Sequence, residues 1–274
     1  MPLNSVNTNV GAMIALQNLS AIMRELGVVQ RRISTGLKVS SVKDDPAVWA
    51  IAQNQRSELR ALDAVTGSLQ RGQSIVDVAI AGGETISDLL GQMKEKMLAA
   101  SDASLSTADR AALSEDYVAL RKQIDRIAGA SDFNGVSLIS AGSSGQIRAL
   151  ANAAGTSTID IDHADLSTTG AIISGTLADL TTVTAADLTN LDTAIRGVNA
   201  AVARFGTGSR ALDTHLTFVG KLKDTMEASI GRLVDADLAR ESARFQALQV
   251  RQQLAIQSLS IANQAPSMLL QLFR

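Results

Sequence analysis

The sequence predicts a mainly α-helical fold: a long antiparallel helical hairpin, or coiled-coil rod, with a short loop-and-hairpin region in mid-chain. Apolar residues recur at the 3-4 spacing of packed helices through both halves of the chain. No proline, the residue that most often interrupts a helix, lies between Pro46 and Pro266. The 274 residues are 46% hydrophobic but only 3% aromatic, which favours close-packed helices over an aromatic-walled pocket.

The N-terminal helix is predicted to run to about residue 37. Gln30 is the one polar member of its heptad seam, whose apolar members are Leu16, Leu19, Met23, Leu26, Ile33 and Leu37. Residues 1–23 contain no charged side chain. Gly36 breaks the pattern, so the helix is expected to end there.

A connector follows, which includes Lys43 and Asp44, and Asp45-Pro46 then starts the next helix. Asp45 is a good N-cap, and Pro46 fits the first helical position because its missing N–H has no partner to lose there. An apolar seam continues from Leu59 to Met97, with Gly82-Gly83 as a weak point, and a further helix is predicted over about 107–128.

Residues 129–184 are rich in Gly, Ser and Thr and are predicted to form loops with a few short strands or hairpins. Asn134-Gly135 is a turn signal, and 136–139 and 158–161 are the candidate strands. A Thr-x-x-Asp start at Thr184 then predicts a helix with a stripe that runs on to the C-terminus. The stripe ends in an uncharged stretch, 252–273, and its members include Leu248, Leu259, Leu269, Leu270 and Phe273.

The chain is therefore symmetric about its middle, with an uncharged heptad segment at each end. We expect a terminal coiled-coil domain of residues 1–44 and 236–274, and a rod domain of residues 45–235 that includes the mid-chain region. Charged flanking positions normally keep a coiled coil soluble and fix its register. Because Ser, Asn, Gln and Ala occupy them here, burial inside an assembly is favoured over an ordinary intramolecular coiled coil.

Chemical sites are sparse in the sequence. The absence of cysteine excludes disulfides, thiol catalysis and zinc–thiolate sites. The two histidines, His163 and His215, are isolated, and Asp160–Asp165 lacks the glycine and closing glutamate of a calcium loop. A net charge of −2 gives no reason to expect nucleic acid or an anionic membrane as a partner. We therefore expect no enzyme activity, cofactor, metal or small-molecule substrate, and no segment apolar and long enough to span a membrane.

Several motifs, in this order, resemble those of bacterial flagellin. They are Asn7-Thr8-Asn9, the run from Arg32 through Thr35-Gly36-Leu37 to Asp45-Pro46-Ala47, the turn Asp132-Phe133-Asn134-Gly135, Asp235-Ala236-Asp237, and Ile261-Ala262-Asn263-Gln264-Ala265-Pro266 with the terminal Leu269–Arg274. The resemblance covers essentially the whole chain. Because residues 129–184 form a short middle region, it indicates a variant with a reduced outer domain.

The resemblance implies a secreted subunit of the extracellular flagellar filament that polymerises with copies of itself for swimming motility. It implies a terminal domain that lines the inner tube and a rod that forms the outer tube. It also implies a filament cap protein, a hook–filament junction protein, an export chaperone and the flagellar type III export apparatus as partners. Two alternatives are a hook–filament junction protein and, from another class, an enzyme with its site in residues 129–184.

Overall fold

The structure is a computed structural model that describes residues 8–142, 146–176, 178–180 and 182–272. It confirms a mainly α fold of long helices with a small mid-chain sheet. The helices are α1 Val10–Thr35, α2 Pro46–Ala100, α3 Thr107–Ala130, α4 Ala185–Val234 and α5 Leu238–Leu272. The strands are β1 Ile147–Leu150 and β2 Thr158–Ile161, which pair antiparallel with Ile147 opposite Ile161.

The chain divides into two compact units. Residues up to Ser57 and from Thr225 onward form the terminal unit, and Glu58–Asp224 form the middle unit. These divisions fall inside α2 and α4, whereas the boundaries expected at 44/45 and 235/236 fall at the two helix breaks. The assignment of residues 1–44 and 236–274 to a separate domain stays a prediction.

In the terminal unit, α1 and α5 pack antiparallel along a heptad seam. Asn9 Nδ2 donates to the Ala262 carbonyl near one end, and Arg32 contacts Glu241 near the other. Two rows of buried or half-buried side chains, each spaced alternately by three and four residues, form the seam. They are Ala15, Leu19, Ile22, Leu26, Val29 and Ile33 on α1, and Phe245, Leu248, Gln252, Ala255, Leu259 and Ala262 on α5.

Leu16, Met23 and Gln30 do not belong to this seam, so the predicted seam is wrong at these three positions. Leu16 and Met23 are 54% and 56% exposed in the subunit. Two neighbouring rows on α1 share Leu19, Leu26 and Ile33, and the prediction chose the row with the larger side chains. The helix instead turns the row of Ala15, Ile22 and Val29 towards α5.

The connector after α1 is held by local hydrogen bonds. Gly36 adopts a left-handed backbone with φ 70° and donates its N–H to the Arg32 carbonyl, which ends α1. The Asp44 carboxylate accepts four hydrogen bonds, from the backbone N–H and hydroxyl groups of Ser40 and Ser41. These bonds lower the pKa of Asp44, with the Ser40 hydroxyl as the largest cause. Asp45 then caps α2, because its side chain accepts hydrogen bonds from the backbone N–H groups of Ala47 and Val48.

The uninterrupted C-terminal helix expected from the apolar stripe is also wrong, because residues 235–237 separate α4 from α5. Here the chain exchanges backbone hydrogen bonds with the break between α1 and α2. Lys38 N donates to the Val234 carbonyl at 2.7 Å, and Ala236 N donates to the Gly36 carbonyl at 2.8 Å. The break is stabilised by a segment far away in sequence, and locally by Asp237, whose carboxylate accepts from Arg240 N at the start of α5.

In the middle unit, the mid-chain region packs into the core of the helices. Five of its apolar side chains are completely buried: Leu138, Ile139, Leu166, Ile173 and Leu180. Of the two candidate strands, 158–161 is strand β2, whereas 136–139 is not a strand and contributes buried side chains instead. Asn134 and Gly135, with φ 53° and 79°, occupy a tight turn that joins Phe133 to Val136.

Glycines mark the close contacts of this unit, and the expected weak point at Gly82-Gly83 is wrong because α2 runs through it unbroken. A Cβ on Gly83 would lie 2.5 Å from Val202 Cγ2, and one on Gly208 would lie 2.9 Å from Ile161 Cδ1. Both distances are too short for a carbon–carbon contact. These glycines therefore let α4 lie against α2 and against β2.

We predict that Gly83→Ala destabilises the middle unit, because the added methyl group overlaps Val202. Overpacking costs about 1–3 kcal/mol, which exceeds the gain of about 1 kcal/mol from replacing a helical glycine by alanine. Gly91→Ala is the matched control, since a methyl group added to Gly91, in the same helix, would have no atom within 4 Å, and it should stabilise. Urea unfolding followed by circular dichroism measures both; a shift of the same sign in the two variants would contradict this account.

A second prediction concerns the start of α4, where Asp187 accepts from the backbone N–H and hydroxyl of Thr184 at 2.8 Å and 2.5 Å. These bonds lower the pKa of Asp187, with the Thr184 hydroxyl as the largest cause. The carboxylate therefore contributes stability above the unfolded-state pKa, and that contribution is lost as the pH falls through the lowered folded-state value. Asp187→Asn should reduce the urea midpoint at neutral pH but much less in strong acid. Asp213→Asn, at an exposed position on α4, is the control and should show no such pH-dependent difference.

Candidate assembly surface

Exposed apolar side chains concentrate on the two terminal helices. Of sixteen exposed large hydrophobic residues in the part of the chain that the structure describes, ten lie on α1 and α5. Their exposed fractions are between 45% and 64%. They are Val10, Met13, Ile14, Leu16 and Met23 on α1, and Leu238, Val250, Leu254, Ile256 and Ile261 on α5. This concentration of exposed apolar side chains on one helix pair indicates a surface that another protein covers.

The predicted assembly residues occupy three kinds of position. Leu248 is buried at 2% exposure, and Leu19, Leu26, Ile33 and Leu259 are half-buried in the seam. Leu16 and Met23 are exposed. The side chains of Leu269 and Leu270, and all of Phe273, lie outside the described residues.

One side of the helix pair forms a groove of about 610 Å³. Ile14 and Ile22 of α1 and Leu248 and Leu254 of α5 give it apolar walls. Small residues of both helices, among them Gly11, Ala15, Ala255 and Ala262, also line it. Sequence analysis missed the groove because it followed only the large apolar side chains; the signal was the alanines that recur between them.

Among the described residues, the ion pairs between α1 and α5 lie at one end of the pair. Arg32 Nη1 lies 3.0 Å from Glu241 Oε1, and Arg244 Nη2 lies 3.7 Å from Glu25 Oε1. Glu241 is largely buried, so its ion pair is more than an exposed surface contact. The other end is closed by apolar packing and by the hydrogen bond from Asn9. The outward face of that end therefore carries apolar and small polar groups.

α1 is long and apolar enough to cross a membrane by length and composition alone, so the expectation that no segment reaches this threshold is wrong. That likeness is weak evidence, because the core helix of a soluble protein and a signal sequence pass the same test. The second half of α1 carries charges at Arg24, Glu25, Arg31 and Arg32. Two of these four side chains form ion pairs with α5: Arg32 with Glu241, and Glu25 with Arg244.

The two histidines and the tyrosine of the middle unit contact other parts of the fold and do not form a reactive site. His163 Nε2 lies 3.0 Å from the Ser140 carbonyl, and His215 Nε2 lies 2.6 Å from the Ala151 carbonyl. Both histidines thus hold the mid-chain region in place. Burial raises the pKa of Tyr117 to about 12. Among the described residues, no group of three His, Cys, Asp or Glu side chains is placed to hold a metal ion.

Comparison with known proteins identifies the family. The bacterial flagellin N-terminal helical region matches residues 6–144, and the bacterial flagellin C-terminal helical region matches residues 188–273. Flagellin FljK of Caulobacter vibrioides is 52% identical over the full length of both chains. A flagellin of Brucella melitensis is 32% identical over 98% of this chain and 99% of its own. The crystal structure of Bacillus cereus flagellin aligns with 54% of this chain and 86% of its own, at 29% identity and a TM-score of 0.47.

The two matched regions leave residues 145–187 between them, and the short middle of this chain fits a flagellin with a reduced outer part. Members of this family are structural proteins that are exported and polymerise with other flagellin subunits into the extracellular filament used for swimming. This chain therefore belongs to the bacterial flagellins and is a structural subunit of the flagellar filament.

Proposed function

We propose that α1 and α5 are the part of the subunit that becomes buried between neighbouring subunits when the filament forms. The observation that carries this proposal is the concentration of exposed apolar side chains on these two helices. In this role Leu19, Leu26, Ile33, Leu248 and Leu259 hold the pair together, while Leu16 and Met23 contact other subunits. Leu269, Leu270 and Phe273 extend the same surface, which the apolar character of residues 269–273 supports.

Energetics favour ordering of the terminal helices on assembly. Fixing a residue costs about 1–2 kcal/mol in backbone entropy, and a helix gains most of its stability by burying an apolar face. Burying a large apolar side chain contributes about 1.5–3 kcal/mol. Within α1, Val29 is the one fully buried residue of the described subunit. Neighbouring subunits would supply the missing burial, so that folding of the termini and binding become one event.

The domain roles follow the same logic. We place residues 1–44 and 236–274 in an inner tube and residues 45–235 in an outer rod. Lys43, Asp44, Asp45 and Pro46 form the connector between the two. The four hydrogen bonds to Asp44 and the cap by Asp45 support a connector of fixed geometry.

Before assembly, the apolar surface of α5 needs cover. An exposed patch of this kind promotes aggregation, so an export chaperone that covers the C-terminal helix is a reasonable requirement of the subunit. The family resemblance further suggests passage through the flagellar type III export apparatus. It also suggests contacts with the cap protein at the growing end and the hook–filament junction protein at the base.

Limited proteolysis with trypsin tests whether the terminal helices order on assembly. Cleavage requires local opening of the chain. Arg24, Arg31, Arg32, Arg240, Arg244 and Arg251 should therefore be cut quickly in the monomer and protected in the filament. Arg121 and Lys122, in α3 of the middle unit, are the internal control and should resist in both states. Equal protection of the terminal arginines in monomer and filament would show that α1 and α5 are already folded alone.

A further inference from the structure

We propose that the terminal helix pair is self-complementary from head to tail: an apolar ridge on α1 of one subunit packs into the α1–α5 groove of a second copy. The ridge consists of Met13, Leu16 and Met23, and the groove is the one bounded by Ile14 and Leu254. This inference rests on the proposed role of the terminal helices in assembly, and it adds which face binds which.

The ridge is an apolar row, interrupted by Ser20, whose three large side chains are each more than half exposed in the described part of the subunit. Steps of three and seven residues place Met13, Leu16 and Met23 on one face of α1. Their exposed fractions are 56%, 54% and 56%. Ser20, a small residue, fills the remaining position of the row, and residues 1–23 carry no charge. The ridge therefore suits an apolar, uncharged receptor and is a poor match for a charged partner.

The groove has the complementary character. Its walls are apolar, and the alanines that line it allow a third helix to approach closely. The charged residues Glu25 and Arg251 lie at its edge, away from Gly11 and Ala262 at the uncharged end. At about 100° per residue, Ile14 and Ala21 lie about 130–150° around α1 from the mean direction of the ridge. Ridge and groove thus face nearly opposite directions.

This separation decides the symmetry of the contact. An interface between two copies of one patch closes on a two-fold axis, whereas an interface between two different patches leaves a free ridge and a free groove at the ends. Repeating such a contact produces an open helical polymer. A second copy of this chain is the occupant we infer, because the family assembles as a homopolymer and the ridge matches the groove in charge and polarity.

Cysteine crosslinking tests the contact, since the chain contains no cysteine of its own. Three variants are made: Leu16→Cys on the ridge, Leu254→Cys on the groove wall, and the two together. Both positions are more than half exposed in the subunit, at 54% and 57%, so neither substitution removes core packing. Thr156→Cys with Leu254→Cys is the matched control, because Thr156 is exposed in the mid-chain loop. Filaments are treated with a flexible bis-maleimide reagent and separated on denaturing gels.

We expect the double variant to give a ladder of linked dimers, trimers and longer species, while each single variant and the Thr156 control stay monomeric on the gel. Filaments that yield linked dimers from Leu16→Cys alone would show ridge-to-ridge contact and overturn the proposal. Filaments of the double variant that yield no ladder would also overturn it. Electron microscopy of wild-type protein separates these outcomes from a failure of assembly itself, which would instead overturn the proposed function.

Mixing experiments cover variants that do not polymerise alone. A head-to-tail contact leaves the groove of Leu16→Lys intact, so this variant should bind one filament end and stop growth of wild-type subunits at far below equal amounts. Leu98→Lys, at a 61% exposed position of the middle unit, is the matched control and should not stop growth in this way. A Leu16→Lys variant that neither polymerises nor slows wild-type growth would contradict the ridge–groove contact.

Discussion

Two packed helices can each bury only one stripe, and the terminal unit of this flagellin depends on that constraint. The α1–α5 seam uses one face of each helix, and the remaining faces keep ten large apolar side chains in solvent. A charged outer surface would stabilise such a pair in isolation, but it would also prevent close packing with neighbours. The uncharged termini are therefore poorly suited to a free coiled coil and well suited to the interior of a polymer.

The middle unit differs from the terminal unit because most of its large apolar side chains are buried within the subunit itself. Its core contains completely buried side chains from α2, α3, α4 and the mid-chain region, including Leu69, Tyr117, Ile139 and Phe205. Glycines such as Gly83 and Gly208 remove side chains where these elements approach most closely. Hydrogen bonds from Leu150 N to the Ser68 hydroxyl and from Thr168 to the Asp125 carboxylate fasten the mid-chain region to the helices. Twelve of the sixteen exposed large hydrophobic side chains among the described residues accordingly lie in the terminal unit.

Local rules predicted the helices well because their signals lie next to the structure they determine. Gly36, Asp45-Pro46 and the Thr184–Asp187 pair end or start helices through bonds within a few residues. Features that depend on distant contacts were missed. The break at 235–237 is stabilised by residues 36–38, and the choice of the seam through Ala15 is made by packing against α5. Likewise, the sequence of Gly82-Gly83 resembles a weak point in a helix, whereas in the structure the missing side chains make room for Ile139 and Val202.

The central claim is that the outward faces of α1 and α5 are covered only in the filament. A cryo-electron microscopy structure of the filament, refined to side-chain resolution, tests it most directly. The exposed fractions of Leu16, Met23, Leu254 and Ile261 are the quantities to measure, and they lie between 54% and 64% in the subunit. We predict that all four side chains become buried against neighbouring subunits. Side chains that remain as exposed in the filament as in the subunit would contradict the account.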